Sequence, residues 1–362
     1  MTAASPFLCL EFSASDKTEI RHDAPSYAPW LGPGKFAYET HLTSGANWVR
    51  IGWSILRTIL VRRPDLVVTS EYRRAFLVNL ALLLTFSRAT HVVLSMNLSS
   101  KPITARNRLG QGVIDRIFQR SDAILVHSLR EAESFAQLHG LPANRFAFSH
   151  WGYDLPAEST RFEAEPKPYF CMIGRNNRDF ETFAKALRLA GARGVAILPG
   201  YMPLAPEVEQ SMQVLRDLPM ADCVNCIRNA AANVTLLRDD SRGAGHITVV
   251  TAMHLGVPQI YSETVVLREY FCAPGFGQAV PVGDANQVAT AMQAVLAAAK
   301  APEAADLIAA RKAFAQRWLS NECSARRIAH VILAALEGRK LDLVDPDWQG
   351  WLDSQQSAPR TL

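Results

Sequence analysis

Two glycine-led turns carry the strongest chemical signals in this sequence. The first, Gly174-Arg175-Asn176-Asn177-Arg178-Asp179-Phe180, directly follows an apolar run and opens a helical pattern. Glycine at that place lets the chain turn sharply and approach a ligand closely. Arg175 and Arg178 then stand at the open end of the strands, where doubly wound sheets bind ligands. A planar guanidinium meets phosphate oxygens in two-pronged fashion; the competing use of both arginines is plain solvation at a domain edge. The second turn is Ser241-Arg242-Gly243-Ala244-Gly245-His246-Ile247-Thr248. It enters a helix whose first N–H groups are free to hold an anionic diphosphate. The third glycine of a dinucleotide fingerprint is absent. His246, at the helix start, is placed to donate to a phosphate or approach a sugar; its other use is that of a structural histidine at a helix end.

The elements that must position these turns are legible as an alternation. An apolar strand, 7–12, is followed by a long loop rich in Pro, Gly and aromatics. A helix is expected over 47–63, with Val49, Trp53, Leu56 and Leu60 at helical spacing, and packing against its own sheet is the use expected of that stripe. Arg50, Arg57, Arg62 and Arg63 make the segment basic as well as amphipathic, and such a helix can also lie on a membrane surface. Strands are expected at 65–69, 91–95 and 123–127, with helices at 74–86 and 112–119 between them. Ser128 and Glu131 form a capping-box pattern for a further helix. The Glu- and Pro-rich stretch 157–168 breaks the rhythm and reads as a linker. A strand at 169–173 restarts it, followed by helix 179–190, strand 195–198, helix 221–229, strand 234–237, helix 246–255, strand 259–262, helix 265–271 and strand 279–282. Asp284 is placed to cap a helix over 287–299, and two more helices run to 337. Strand–helix alternation of this kind means parallel strands with crossover helices. The tail from Asp342 is expected to be loosely held.

With 362 residues, 49% of them hydrophobic and 20% charged, the chain has the length and balance of two folded domains. The net charge of +4 is unevenly spread. Residues 1–120 carry 15 Lys+Arg and 8 Asp+Glu, so +7; the remainder carries 23 and 26, so −3. A basic N-terminal half suits an anionic surface or a phosphorylated substrate. Nucleic acid is not expected, because the charges are scattered and no nucleic-acid-binding module is visible. The start of the chain lacks the pattern of a signal peptide, and the longest apolar run, 75–86, is too short to span a bilayer. A cytoplasmic protein, peripheral at most at the inner membrane face, is the expectation. Cys223 and Cys226 form a CxxC without the two further ligands a zinc site needs.

The order GRNNRDFETFAKAL, VTLLRDDSRGAGHITVVTAMHLGVPQIYS and LREY resembles the C-terminal domain of GT-B glycosyltransferases, especially the GT4-like group. RPDLVVTS, SDAILVHSLREAESF and HWGYD are similar to that group's N-terminal domain and closing segment. The resemblance implies an α/β fold of the GT-B type, two Rossmann-like domains facing across a cleft. It divides the chain into an acceptor-binding domain, 1–156, a linker, 157–168, a nucleotide-sugar domain, 169–320, and a C-terminal helix and tail, 321–362, the helix able to pack back toward the N-terminal domain. It implies a donor site of Gly174, Arg175, Arg178, Gly243, Gly245, His246, Ile247, Thr248 and Thr251, with Glu263 as a nearby carboxylate, and no bound metal or cofactor beyond the nucleotide-sugar co-substrate.

One departure matters. The GT4-like pattern has a Glu before Ala252-Met253 that binds the ribose hydroxyls, and this chain has Thr251 there. A threonine hydroxyl cannot chelate a diol as a carboxylate can. In the N-terminal half Asp16, Asp23 and Glu71 are the candidates for a general base, and His22, Lys35 and Asn97 for other acceptor contacts. The function expected is sugar transfer from a nucleotide-diphosphate sugar to a hydroxyl of a saccharide or polyprenyl-linked saccharide, in polysaccharide (exopolysaccharide, capsule or lipopolysaccharide) synthesis. The rivals are a nucleotide-sugar epimerase of the same architecture and a catalytically silent subunit binding a partner transferase.

Overall fold

Short apolar runs become buried strands in this protein, and the amphipathic stretches between them become the helices that cover the sheets. The computed structural model describes residues 6–15, 18–43, 47–96, 102–157, 168–240, 243–273, 275–299 and 301–357. The chain divides into two units, 1–149 together with 322–362, and 150–321.

The first unit runs β1 (Phe7–Ala14), β2 (Glu19–Arg21), β3 (Phe36–Thr43), α1 (Trp48–Arg62), β4 (Leu66–Ser70), α2 (Tyr72–Leu84), β5 (Thr90–Leu94), α3 (Arg108–Phe118), β6 (Ala123–Val126), α4 (Leu129–His139) and β7 (Phe146–Phe148). Its sheet has the order β2-β3-β1-β4-β5-β6-β7, parallel except for β2. The strand β3 falls in the stretch expected to be loop. Its inward positions include Glu39 and His41, so no apolar alternation announces it. The two are buried because His41 Nε2 lies 2.6 Å from Glu39 Oε1 and Arg62 pairs with the other carboxylate oxygen.

Helix α1 is capped by Asn47, whose Oδ1 accepts from Arg50 N at 3.1 Å. The face it buries is Ile51, Ile55 and Ile59, against Val78, Ala81 and Leu82 of α2. The expected stripe is reversed: Val49, Trp53 and Leu60 face solvent and Leu56 is half-buried. The helix has two apolar stripes, and the β-branched one takes the core.

The tail is also held more firmly than its polarity suggests. Trp348 is buried against Phe148, ring centroids 5.4 Å apart. Arg327 of the helix α11 (Asn321–Leu336) donates to the carbonyls of Phe148 and Asp342. Ala325, Ala329 and Ile332 of that helix share a core with Cys9, Tyr27 and Leu66.

The second unit runs β8 (Tyr169–Ile173), α5 (Phe180–Ala190), β9 (Arg193–Leu198), α6 (Pro206–Glu209), β10 (Gln213–Arg216), α7 (Met220–Arg228), β11 (Ala232–Thr235), α8 (His246–Leu255), β12 (Gln259–Ser262), β13 (Gln278–Val280), α9 (Ala285–Ala298) and α10 (Ala304–Trp318). The all-parallel order is β10-β9-β8-β11-β12-β13. This is the doubly wound arrangement, with the chain building outward from β8, then returning to β11 on its other side. Residues 265–270 form a 3-10 turn rather than the expected α-helix. Cys223 and Cys226 sit on α7, and all six cysteines are free.

Residues 150–156, expected in the N-terminal domain, belong to the second unit. His150 Nε2–H donates to Glu269 O at 2.9 Å, Trp151 N–H to Tyr270 Oη at 2.7 Å, and Tyr153 N–H to Leu319 O at 3.0 Å. A Cβ on Gly152 would stand 2.5 Å from Ser320 O and 3.1 Å from Leu319 O. Backbone carbonyls cannot swing aside as a flexible side chain can. Gly152→Ala is therefore expected to cost about 1–3 kcal/mol and to lower the melting temperature by roughly 2–4 °C per kcal/mol. An unchanged melting temperature would show that the segment is not held against 319–320.

Candidate functional site

The strand order of the second unit reverses between β8 and β11, and the turns that leave these two strands meet there. Arg178 and Leu237 face each other as an isolated antiparallel bridge, held by the bonds of their neighbours. Asp179 N donates to Leu236 O at 3.1 Å and Arg238 N to Asn177 O at 3.2 Å. Arg238 Nε adds a bond to Arg178 O, and Asn177 Nδ2 one to Asp239 O.

Under this strap lies the Arg178 side chain, 5% exposed. Its Nε–H donates to Ile173 O at 3.0 Å, Nη1 to Asn176 O at 3.1 Å, and Nη2 to Thr248 Oγ1 at 3.4 Å. Two glycines at this place leave no room for a side chain. A Cβ at Gly174 (φ 133°) would stand 2.8 Å from Arg178 Nη2, and one at Gly245 (φ 97°) 2.8 Å from Thr235 Cγ2. Among the described residues no carboxylate pairs with this guanidinium. Burial alone pulls its pKa down to about 10, so it stays charged at neutral pH. A buried charge without a counter-charge is costly, and the site gains by taking in an anion.

Gly245 is also the N-cap of α8, and no side chain caps that helix. Its first-turn N–H groups and the helix dipole favour negative charge at this end. Thr248 Oγ1 donates to Gly245 O at 2.9 Å while accepting from Arg178, which locks the first turn of α8 onto the guanidinium. Gly243 is half-buried, Ile247 is on the exposed side of the same turn, and Arg175 is exposed with no bonded partner among the described residues. Residues 241 and 242 lie outside the described residues.

The side chains of three expected donor-site residues are turned to other uses or are not bonded to this cradle. His246 is buried, stacked on Tyr270 at 4.9 Å, and its Nε2–H donates to Val266 O at 3.1 Å. A carbonyl can only accept, so the Nε2–H is committed to Val266 O. Thr251 is buried and donates back to Ile247 O at 2.7 Å, while its oxygen accepts from the Tyr153 hydroxyl. Glu263 follows β12 as an exposed carboxylate, bonded to none of the cradle residues. Asp240 has a role not foreseen: its carboxylate accepts from Val265 N and Val266 N, both at 3.2 Å, and so anchors the 3-10 turn behind His246.

In the first unit, Glu71 follows β4 with φ 79° and its carboxylate is paired with the buried Arg74, which also holds Thr43 O and Oγ1. That pairing leaves Glu71 poorly suited to act as a base. Lys35 is at the amino end of the sheet, next to Phe7, away from the carboxyl edge where such sheets bind ligands. His22 and Asp23 are exposed on the chain that leads there from β2. Asp16 and Asn97 lie outside the described residues.

The carboxyl edge of this sheet instead carries hydroxyls and a histidine that no motif announces. Ser13 and Ser70 are 3.2 Å apart, and Ser13 Oγ–H and Tyr27 Oη–H both donate to Glu11, whose pKa burial raises. Ser95, with φ 52°, lies just past β5, and its hydroxyl donates to His127 Nε2 at 2.8 Å. His127 Nδ1–H in turn donates to Ser149 O at 2.8 Å. The only signal in the sequence is a polar residue closing each apolar run.

No family model and no curated protein sequence matches the chain. Solved structures do. HepE (Alr3699) of Anabaena, solved in complex with UDP, is 12% identical with a TM-score of 0.65, over 90% of this chain and 99% of that one. A glycosyltransferase of Rickettsia africae is 11% identical with a TM-score of 0.67, over 92% and 100%. Sucrose-phosphate synthase of Thermosynechococcus elongatus is 14% identical with a TM-score of 0.63, over 91% and 99%. The two parallel-sheet units of this chain are thus those of the GT-B fold.

The buried histidines of the first unit make its stability depend on pH. Burial pushes His127 down to about 4 and His91, bonded to Asn79 and Thr69, down to about 3, from 6.5. Below pH 6.5 the unfolded chain binds protons that the folded chain refuses, so stability is full above that pH and is lost as pH falls toward 4. Each histidine contributes a slope of about 1.4 kcal/mol per pH unit. Urea unfolding should show a clearly lower midpoint at pH 5 than at pH 7, with the fitted free energies implying proton uptake on unfolding. Equal midpoints would contradict the buried, neutral placement of both rings.

Proposed function

We propose that this protein is a glycosyltransferase that moves a sugar from a nucleoside diphosphate sugar to a hydroxyl of a saccharide or lipid-linked saccharide, within polysaccharide assembly. The observation that carries the proposal is the charged, buried Arg178 guanidinium at the strand-order reversal, without a described carboxylate partner, beside the uncapped start of α8. Structures of similar fold include one solved with UDP and one solved with UDP-glucose.

In this reading the diphosphate lies against the N–H groups of 243–248, within the field of Arg178 and in direct contact with the exposed Arg175. As the bond to the sugar breaks, negative charge grows on the leaving phosphate, and preorganised donors stabilise that charge more than the ground state. Two arginines and a helix N-terminus supply the positive charge. The hydroxyl-lined edge of the first unit, Ser13, Ser70 and Ser95, takes the acceptor, because alternating donors and acceptors match a sugar's hydroxyls. A lipid-linked acceptor places the chain at an anionic membrane surface, which suits the +7 charge of residues 1–120. Among the described residues no helix is long and apolar enough to cross a membrane.

One observation favours a second reading. Thr251, where the GT4-like pattern has its ribose-binding Glu, spends its hydroxyl on Ile247 and Tyr153. A catalytically silent subunit would tolerate that. Thermal-shift assays with UDP-, GDP- and TDP-linked sugars separate the readings: the transferase is stabilised by one nucleotide class, and no stabilisation by any supports the silent subunit. Arg175→Ala should leave the melting temperature unchanged, since the side chain is exposed, yet weaken that nucleotide about tenfold or more, the worth of a charge-assisted hydrogen bond. Unaltered affinity would remove Arg175 from the site.

A further inference from the structure

The helices α1, α2 and α3 each cross over in turn from β3 to β4 to β5 to β6, and right-handed crossovers in one direction lie on one face of the sheet. They pack side by side: Ile55 and Ile59 of α1 share a core with Val78 and Leu82 of α2, and Tyr72 of α2 stacks on Phe118 of α3 at 4.9 Å. Their outward sides therefore form one surface, and that surface is unusual in two respects.

It is apolar where a solvated face should be polar. Val49 is 85% exposed, Trp53 68%, Phe86 90% and Leu109 87%. Phe86 closes α2 in the left-handed region, φ 51°, with the chain turning back through Ser87 N–H to Leu82 O. Glycine is the residue that such a cap favours, and here a phenylalanine is held outward instead.

It is also strongly cationic. Residues 47–118 contain ten arginines against three acids, Asp65, Glu71 and Asp115. Each acid is already engaged, with Leu8 N, Arg74, and Gln111 and His139 respectively. Arg50, Arg57, Arg63, Arg88, Arg106, Arg108 and Arg116 are exposed and form no ion pair with a described residue.

We propose that this three-helix face is the surface by which the protein docks on an anionic lipid bilayer. Trp53 and Phe86 enter the headgroup region, and the arginines around them neutralise lipid phosphates, the combination by which interfacial helices bind. The charge selects this occupant over a second copy of the chain, because a two-fold contact would set arginine against arginine. The proposal deepens the membrane contact proposed above to a named surface. It does not depend on sugar transfer, since retention on lipid needs no nucleotide.

The test is co-sedimentation of the full chain with vesicles of phosphatidylglycerol mixed with phosphatidylcholine, against phosphatidylcholine alone. Retention is expected on the mixed vesicles at low salt and is lost at high salt. Trp53→Ser with Phe86→Ser should lower it roughly tenfold, as should Arg50→Glu with Arg57→Glu, with melting temperatures kept because all four side chains are exposed. Tyr201→Ser, an equally exposed aromatic in the other unit, should leave retention unchanged. The proposal is overturned if mixed vesicles fail to retain the wild-type chain at low salt, or if the Trp53/Phe86 variant is retained as well as wild type. It is also overturned if that variant instead converts a dimer to a monomer in sedimentation equilibrium.

Discussion

A positive charge has been placed where no carboxylate among the described residues meets it. The Arg178 guanidinium donates to two carbonyls and a threonine, and no described carboxylate meets its charge. Much around it follows from that placement. A Cβ at Gly174 would strike the guanidinium, and one at Gly245 the Thr235 methyl. The turns after β8 and β11 are strapped together by backbone bonds because both must cover one buried side chain. The first turn of α8 is fixed through Thr248, so the helix N-terminus and the guanidinium point their fields at the same place.

Behind the cradle, residues that look chemical in the sequence serve as its support. His246 stacks on Tyr270 and holds Val266; Asp240 holds the next two N–H groups of the same turn; Tyr270 holds Trp151, and Tyr153 holds Thr251. This chain of contacts binds the segment 150–153 to α8. Thr251 bonds within the protein on both sides, to Ile247 O and to the Tyr153 hydroxyl. The position is a joint between α8 and Tyr153.

Legibility of the sequence followed the physics of each segment. The strands 169–173 and 259–262 and the helix 246–255 fall where the apolar runs and their flanking glycines place them, because both the burial and the stop signals are local. The strand 36–43 was hidden because its buried positions include Glu39 and His41, whose partner Arg62 lies on a helix elsewhere in the chain. The outward turn of Val49, Trp53 and Leu60 was illegible for a related reason: α1 carries two apolar stripes, and only the neighbouring α2 decides which is buried. The tail is anchored by Trp348 on Phe148, a long-range contact that no local pattern encodes. At the cradle, glycines and arginines could be read because turns and phosphates demand them. The Ser95–His127 pair and the internal use of His246 could not, since which partner a lone polar side chain finds depends on the folded neighbours.

In the proposed function, the charge at Arg178 marks a diphosphate site. The most direct measurement is a crystal structure of the protein grown with the nucleoside diphosphate that stabilises it best. The diphosphate is expected at the carboxyl ends of β8 and β11, within hydrogen-bond reach of Arg175 and of N–H groups in 243–248. A diphosphate bound elsewhere in the second unit, or an Arg178 neutralised by a protein carboxylate with the cradle closed, would contradict it.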